Sequence, residues 1–228
     1  MIGGIEIASR DGGHFDAYAA GPPAARAGIV VVQEIFGVNA NVRAVADGWA
    51  AAGYAVLAPD LFWRSEPGVA LDADDPAQLE RAYALMNAFD RDLGIADIAA
   101  SIAALRTQGC ARVGVVGYCL GGLLAYLAAA RTDSDATVGY YGVMLDKFLG
   151  EQHAIGKPLL LHIALRDHLI DDAARAATRD GLAGNRHVTM AEWDADHAFA
   201  RHSGSARVAA LADAADARTR AFFAEHLA

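Results

Sequence analysis

Cysteine is scarce in this chain of 228 residues. Its two cysteines, Cys110 and Cys119, flank a predicted strand, and two thiols cannot supply the disulfide framework of a small secreted protein. The scarcity favours a cytoplasmic enzyme, because intracellular surroundings keep thiols reduced. Reduced surroundings are also what a working thiol requires.

Clusters of basic residues and long apolar runs are missing as well. The formal net charge is −9, which argues against nucleic acid or an anionic membrane as a partner. No apolar run approaches the ~18 residues of a membrane span. The first residues show no basic region followed by an apolar core, so no signal peptide is expected.

Apolar residues, by contrast, are abundant. The hydrophobic fraction is 54% and the mean hydropathy is +0.21, which is enough for a large core and excludes a disordered chain. No linker, repeat or low-complexity tract interrupts the pattern. Residues 1–228 are therefore predicted to form a single domain.

Apolar runs alternate with helical patterns along the chain. Strands are predicted at residues 5–8, 15–19, 28–33, 54–58, 113–116, 136–141, 158–164 and 188–193. Helices are predicted at 41–52, 76–89, 93–107, 123–130, 171–182 and 205–226, with a surface loop at 61–74. The alternation predicts an α/β fold with a mostly parallel central sheet and helices on both faces. Active sites of such sheets lie beyond the carboxyl ends of the strands.

A glycine-flanked cysteine stands between the strand at 113–116 and the next helix. Residues 117–121 read GYCLG, which fits the strand–turn–helix pattern G-x-nucleophile-x-G, with the strand expected to break at Gly117. The amides and dipole of a helix N-terminus favour a thiolate at Cys119. The alternative is a buried structural cysteine beside an ordinary glycine turn.

Chemically useful side chains follow several predicted strands: Glu34, Asp60, Cys119, Asp167 and His197. The order nucleophile, acid, histidine is the chain order of α/β-hydrolase triads. A thiol attacks as thiolate, so a histidine would accept its proton and an aspartate would orient the imidazole. The sequence thus predicts Cys119 as nucleophile, His197 as base and Asp167 as the acid.

Backbone amides are predicted to bind the oxyanion, one from Leu120 and one from Ile35. Glu34, just before Ile35, ends a buried strand, where a carboxylate is costly unless it has a partner. We interpret Glu34 as lying near the thiol. The alternative is a loop carboxylate that faces water.

Other residues compete for these positions. Asp171 and Asp172 have the pattern of helix N-terminal residues, and Asp194 and Asp196 that of turn formers. His162 lies inside a strand and is interpreted as a satisfied core residue. A metal reading has no recognised ligand spacing, so no metal or cofactor is expected; it would use Asp194, Asp196, His197 and His202.

Several segments together resemble the dienelactone hydrolase (carboxymethylenebutenolidase) family. They are residues 33–39 (QEIFGVN), 117–122 (GYCLGG), 139–142 (GYYG), 167–168 (DH) and 197–201 (HAFAR). The resemblance runs over essentially the whole chain. It implies an α/β-hydrolase fold and hydrolysis of a lactone or small ester through a triad of Cys119, Asp167 and His197. It also implies that Glu34 contacts the resting thiol and takes its proton when substrate binds.

The resemblance further implies a carboxylate-bearing unsaturated lactone as substrate, from the breakdown of aromatic compounds. Its contacts would come from Arg201, Tyr83 and Phe36. A second arginine of the family falls on Leu79 here, and Arg81 lies on another face of the predicted helix. Two further departures in the expected pocket are Ala198 and Met86. Because they spare the triad, we expect the same reaction on a less anionic substrate.

Other functions would fit parts of the pattern. The same triad could serve acyl transfer or peptide hydrolysis, and a non-catalytic homologue could bind the ligand as a sensor. A redox-sensing thiol would need a nearby resolving cysteine, and Cys110 lies at the far end of the predicted strand. A small lactone or ester remains the expected partner of a chain that is expected to be a monomer.

Overall fold

The structure, a computed structural model, describes residues 4–228. Met1–Gly3, on which the signal-peptide expectation partly depends, lie outside the described residues. The chain divides into two compact units, one up to Val113 and one from Gly114 onwards. The prediction of a single domain over residues 1–228 stays a prediction. Among the described helices, none has both the length and the apolar character of a membrane span.

The first unit contains four strands in the order β1-β2-β4-β3. They are β1 (Gly4–Ala8), β2 (His14–Ala20), β3 (Ala27–Val32) and β4 (Ala55–Pro59). β1 pairs antiparallel with β2, and β2 pairs antiparallel with β4. β3 pairs parallel with β4, with Ile29 opposite Val56. Residues 28–32 are all buried, as the continuous β-branched run predicts.

Three helices accompany these strands: α1 (Ala40–Ala51), α2 (Pro76–Ala88) and α3 (Arg91–Thr107). Each begins after a polar residue whose side chain accepts an amide hydrogen bond from the first turn, namely Asn39, Asp75 and Asp90. Such N-caps satisfy amides that the helix leaves unpaired. These caps explain why the helix starts predicted from the sequence lie close to the observed ones.

The segment at 61–74 is a loop without helix or strand, as the sequence predicted, but it is not wholly at the surface. Asp60 holds its start in place, because its carboxylate accepts the amides of Phe62 (3.1 Å) and Gly68 (2.6 Å). Arg64 donates to the fully buried carboxylate of Asp97 at 2.5 Å. With its polar groups satisfied in this way, the segment can bury four of its apolar side chains, Leu61, Phe62, Val69 and Leu71.

The second unit contributes parallel strands in the order β5-β6-β7-β8. They are β5 (Arg112–Tyr118, which begins at the end of the first unit), β6 (Ala136–Tyr140), β7 (Leu159–Ala164) and β8 (Val188–Trp193). The helices are α4 (Leu120–Arg131), α5 (Asp172–Leu182) and α6 (Ala209–His226), and two short 3-10 helices lie at Leu145–Lys147 and Leu149–Ala154. The last helix therefore begins later than the predicted residue 205.

Helices cover both faces of this second set of strands. A Cβ atom on Gly139 of β6 would lie 2.8 Å from the Gly122 carbonyl oxygen of α4, while the next residue, Tyr140, reaches Thr219 of α6. Successive strand residues point to opposite faces, so α4 and α6 lie on opposite sides. The carboxyl ends of β5, β7 and β8 bring the predicted triad residues to one edge.

Candidate active site

Cys119 is the single residue between β5 and α4. The strand continues through Tyr118 and the helix starts at Leu120, so the predictions of a break at Gly117 and a helix from residue 123 were wrong. Cys119 has φ 56° and ψ −114°, a backbone conformation that residues other than glycine rarely adopt. The turn is thus sharper than the sequence suggested.

Glycines make this turn possible. A Cβ atom at Gly117 would lie 1.9 Å from the carbonyl oxygen of Gly121, and one at Gly122 would lie 2.5 Å from that of Tyr140. Both separations are far below any real contact, so the backbones can approach only without side chains. The close approach explains the strand–turn–helix spacing around Cys119.

Backbone hydrogen bonds hold the strained residue. The Cys119 amide donates to the carbonyl oxygen of Tyr140 at 3.0 Å, and the Cys119 carbonyl accepts from the amide of Gly122 at 2.9 Å. Leu120, the predicted oxyanion donor of this unit, is the first residue of α4 and is buried. First-turn amides have no partner within a helix, which suits them to an anion.

Asp167 and His197 form a buried pair beyond β7 and β8. His197 Nδ1 lies 2.7 Å from Asp167 Oδ2, and the two side chains are 7% and 0% exposed. The other carboxylate oxygen accepts the amide of Leu169 at 2.9 Å, and the Asp167 carbonyl oxygen accepts from Arg175 Nη1 at 3.2 Å. The carboxylate is therefore fixed on both sides.

The electrostatics favour a charged imidazole. Burial by itself lowers the pKa of His197, but the electrostatic interaction with Cys119 and the interactions with Asp167 outweigh it and raise the pKa to about 10. His197 Nε2 is buried and makes no hydrogen bond of normal geometry within the described residues. The site thus brings a thiol, an imidazole and a carboxylate together in one unit.

Tyr141 is a contributor that the sequence analysis missed. Its ring lies edge-on to His197, with centroids 5.0 Å apart, and also contacts Phe199. Its backbone φ is 39°, and its amide donates to the carbonyl oxygen of His162 at 2.8 Å. The GYYG motif contains the only sequence signal for this role. Tyr140 and Tyr141 together connect the backbone of Cys119 to the ring of His197.

His162, behind the site, is the satisfied core residue that the sequence predicted. Trp193 Nε1 donates to His162 Nδ1 at 3.0 Å, so the ring proton sits on Nε2 and is donated to Thr219 Oγ1 at 2.9 Å. Tyr140 donates its hydroxyl proton to Asp216 at 3.0 Å and accepts from Thr219 at 2.6 Å. Burial lowers the pKa of His162 to about 3.

The metal reading is not supported by the arrangement of its four residues. Asp194 forms a surface ion pair with Arg166 at 2.8 Å instead. Within residues 4–228, the group that could hold a cation is Asp167, His168 and Asp196, whose ligand atoms lie within 4.8 Å of one another. Asp167 in this group already accepts from His197.

The remaining predicted residues lie in the first unit or beyond the triad. Glu34, Ile35 and Phe36 follow β3 and are all buried, and their roles stay predictions. On α2, Leu79 and Tyr83 are exposed one turn apart, Met86 is half-buried and Arg81 pairs with Glu66. Arg201 is half-buried, and its amide donates to the carbonyl oxygen of Ala198, which has φ 61°.

Comparison with known proteins decides the family. The dienelactone hydrolase family model matches residues 15–227. This chain belongs to that family. It is 42% identical to a carboxymethylenebutenolidase of Pseudomonas putida, with 97% of this chain and 95% of the relative covered. It is 38% identical to carboxymethylenebutenolidase 1 of Cupriavidus pinatubonensis, over 95% and 94% of the two chains.

Solved structures agree with this membership. A candidate dienelactone hydrolase from Klebsiella pneumoniae superposes with a TM-score of 0.85 at 26% identity, covering 97% of both chains. An esterase of Pyrococcus furiosus has a TM-score of 0.74 at 18% identity, over 98% of this chain and 92% of that one, which bears on the fold alone. The predicted α/β-hydrolase fold is confirmed. As a member of the dienelactone hydrolase family, the chain is a lactone or ester hydrolase.

Proposed function

We propose that the chain hydrolyses a small lactone or ester through Cys119 and an acyl-thioester intermediate. The observation that carries the proposal is the buried hydrogen bond of 2.7 Å between Asp167 and His197, combined with a raised His197 pKa that depends on Cys119 as well as on Asp167. An aspartate so placed holds the imidazole in one tautomer and stabilises its cation. A thiolate opposite an imidazolium is an activated nucleophile.

In the first step, the Cys119 sulfur attacks the carbonyl carbon and forms the C–S bond. The carbonyl oxygen becomes an oxyanion, for which the amides of Leu120 and Ile35 are the proposed donors. As the C–O bond breaks, His197 gives its proton to the leaving oxygen. In a lactone this oxygen stays attached to the acyl group, so no fragment has to depart.

In the second step, water attacks the thioester while neutral His197 accepts a proton from it. The C–S bond breaks, the carboxylic acid is released and the thiolate returns opposite the imidazolium. The ring of Tyr141 packs against that of His197 at an angle of 65° and is proposed to restrict the tilt of the imidazole throughout.

Glu34 is proposed to act before the first step, as the group that receives the thiol proton when substrate binds. It is a buried carboxylate at the end of β3. A neutral resting thiol would resist oxidation. On this proposal, Glu34→Gln speeds alkylation of the resting enzyme by iodoacetamide, because the negative charge that disfavours the thiolate is gone. An unchanged or slower rate would count against the role.

For the substrate, we propose a weaker preference for anionic lactones than the family's. Leu79, exposed on α2, stands where the resemblance expects an arginine. One lost charge-assisted hydrogen bond weakens binding by roughly 1.5–3 kcal/mol. No cofactor, a monomeric state and a cytoplasmic location remain predictions, as does a role in the degradation of aromatic compounds.

The test is a substrate screen on the purified protein, with Cys119→Ala as the control. Loss of lactone absorbance is followed for a dienelactone and its methyl ester, and mass spectrometry seeks the acyl group on Cys119. We expect turnover that Cys119→Ala abolishes and similar kcat/KM values for acid and ester. Activity in Cys119→Ala would refute the nucleophile, and a preference for the acid of about a hundredfold would refute the substrate proposal.

A further inference from the structure

The loops that carry Asp167 and His197 are joined by more than their own hydrogen bond. The pairing of β7 with β8 ends at Ala164 and Trp193. Beyond it, the amide of Leu165 donates to the carbonyl oxygen of Trp193 at 2.8 Å, and that of Arg166 to the carbonyl of Ala195 at 2.9 Å. The ladder between the two strands therefore extends into the loops.

The next link between the two loops is made by a side chain. Asp196 Oδ1 accepts the amide of His168 at 3.0 Å, the Nδ1 of the same histidine at 2.8 Å and the amide of His197 at 2.6 Å. The carboxylate takes the place that a backbone carbonyl would have in a regular ladder. It connects the residue after Asp167 with the residue that is itself the proposed base.

We propose that Asp196 is a positioning residue for the triad: one carboxylate oxygen locks the loop of the acid onto the loop of the base and so fixes the bond between Asp167 and His197. The inference rests on the proposed function. A triad needs its reacting groups held to within about 0.5 Å, and errors of about 1 Å cost about a hundredfold in rate.

The chemistry of Asp196 suits this purpose across the working pH range. Partial burial disfavours its charge, but the hydrogen bonds from His168 and His197 lower its pKa to about 2. The carboxylate is therefore ionised at neutral pH, and amides bind an ionised acceptor more strongly than a neutral one. The His168 ring, 6.2 Å from that of His197, is held beside the base by the same oxygen.

The surface pair of Asp194 with Arg166 supplies a matched control. It also links the same two loops, at 2.8 Å, and its side chains are 78% and 67% exposed, against 59% and 64% for Asp196 and His168, but it reaches neither triad residue. If any ionic link between the loops sufficed, Asp194→Ala and Asp196→Ala would have similar effects. If the oxygen shared by His168 and His197 positions the triad, only Asp196→Ala should lower kcat.

The experiment measures kcat and KM on the best ester for Asp196→Ala, Asp196→Asn and Asp194→Ala. We expect Asp196→Ala to lower kcat about 10- to 100-fold with KM within about twofold, because alignment and not binding is lost. Asp196→Asn keeps an acceptor oxygen for the two amides and should recover most of the rate. Asp194→Ala should match the wild type.

A second readout does not depend on turnover. Titration of the His197 ring by NMR should show a lower pKa in Asp196→Ala than in the wild type, since the hydrogen bond to Asp167 is looser. If the wild-type protein hydrolyses no ester, the proposed function is refuted, but the His197 pKa values of the wild type and Asp196→Ala can still be compared. Wild-type kcat and an unshifted His197 titration in Asp196→Ala would overturn the positioning role. If that variant does not fold, His168→Ala takes its place, because it removes the ring that is bound to the shared oxygen: a lowered kcat and a lowered His197 pKa support the role, and wild-type values of both overturn it.

Discussion

Two histidines of the second unit are buried to nearly the same degree and yet hold their protons in opposite ways. His162 is fully buried and His197 is 8% exposed. The pKa of His162 is lowered to about 3 by burial, and that of His197 is raised to about 10. Burial disfavours the charged form at both positions, so it cannot be the cause of the difference.

The difference comes from what each ring touches. His162 contacts neutral groups, accepting from Trp193 and donating to Thr219. The carboxylate of Asp216 is linked to this network through the Tyr140 hydroxyl, which donates to it at 3.0 Å. His197, by contrast, interacts with Cys119, the largest cause that raises its pKa, and contacts the carboxylate of Asp167 directly. A buried imidazole thus becomes structural or chemically active according to its first neighbour, and that neighbour can be changed by mutation.

The largest expected effect comes from removing the charge beside His197. Asp167→Asn keeps the size of the side chain but offers no anion, and its amide can hold the wrong tautomer of the imidazole. We expect kcat to fall roughly 10³- to 10⁴-fold, as for the same change in a serine-protease triad. The His197 pKa should fall in the direction of the His162 value, which ring titration by NMR would measure.

Asp171→Asn is the matched control, since the sequence left Asp171 as a competitor for the acid. Its carboxylate accepts the amide of Ala174 at 2.7 Å and caps α5. Asparagine caps helices as well as aspartate does, so activity and stability should both be retained. A loss of activity equal to that of Asp167→Asn would show that the acid was misassigned.

A smaller effect concerns the stability of the folded chain in acid. Because the folded pKa of His162 (about 3) lies below its unfolded value (6.5), its contribution to stability is intact above pH 6.5 and is lost as the pH falls towards 3. For His197 the sign is reversed: its contribution is intact below pH 6.5 and is lost as the pH rises towards 10. The two histidines therefore act on opposite limbs of the stability curve.

Replacing His162 with glutamine should flatten the acid limb only. Glutamine can still accept from Trp193 and donate to Thr219, but it does not titrate. Urea unfolding is measured between pH 8 and pH 4. As the pH falls, the unfolding free energy of His162→Gln should decrease less than that of the wild type, by up to a few kcal/mol. The exposed His153→Gln serves as the control. Parallel curves for His162→Gln and the wild type would contradict the lowered pKa.

Much of this arrangement could be predicted from the sequence, because strand ends are local features. Buried parallel strands end at one edge of a sheet, so residues that follow them meet whatever the loops do. That argument predicted Cys119, Asp167 and His197 as neighbours, and the geometry of the second unit brings them together. His162 was predicted as a core residue for a different local reason, its position inside a strand.

What the sequence did not predict depends on contacts between distant segments. Asp196 looked like a turn former, and its link to His168 depends on how two loops align in space. The strained backbone of Tyr141 and its contact with His197 have no local pattern. The burial of Phe62 was missed because the polar partners that permit it, such as Asp60, lie outside the segment. Polarity along the chain cannot reveal these pairings.

The smallest effect expected tests whether the neutral network around His162 is purely structural. Thr219 accepts from His162 and donates to Tyr140, so Thr219→Val leaves a buried donor without an acceptor at nearly constant volume. We expect a loss of about 1–3 kcal/mol in unfolding free energy and a kcat within about twofold of the wild type. Thr219→Ser retains the hydroxyl and should lose less. If Thr219→Val is as stable as the wild type, the hydrogen-bond donors are assigned wrongly. If its kcat falls strongly, His162 and His197 are coupled through Tyr140, whereas their different pKa values indicate two separate systems.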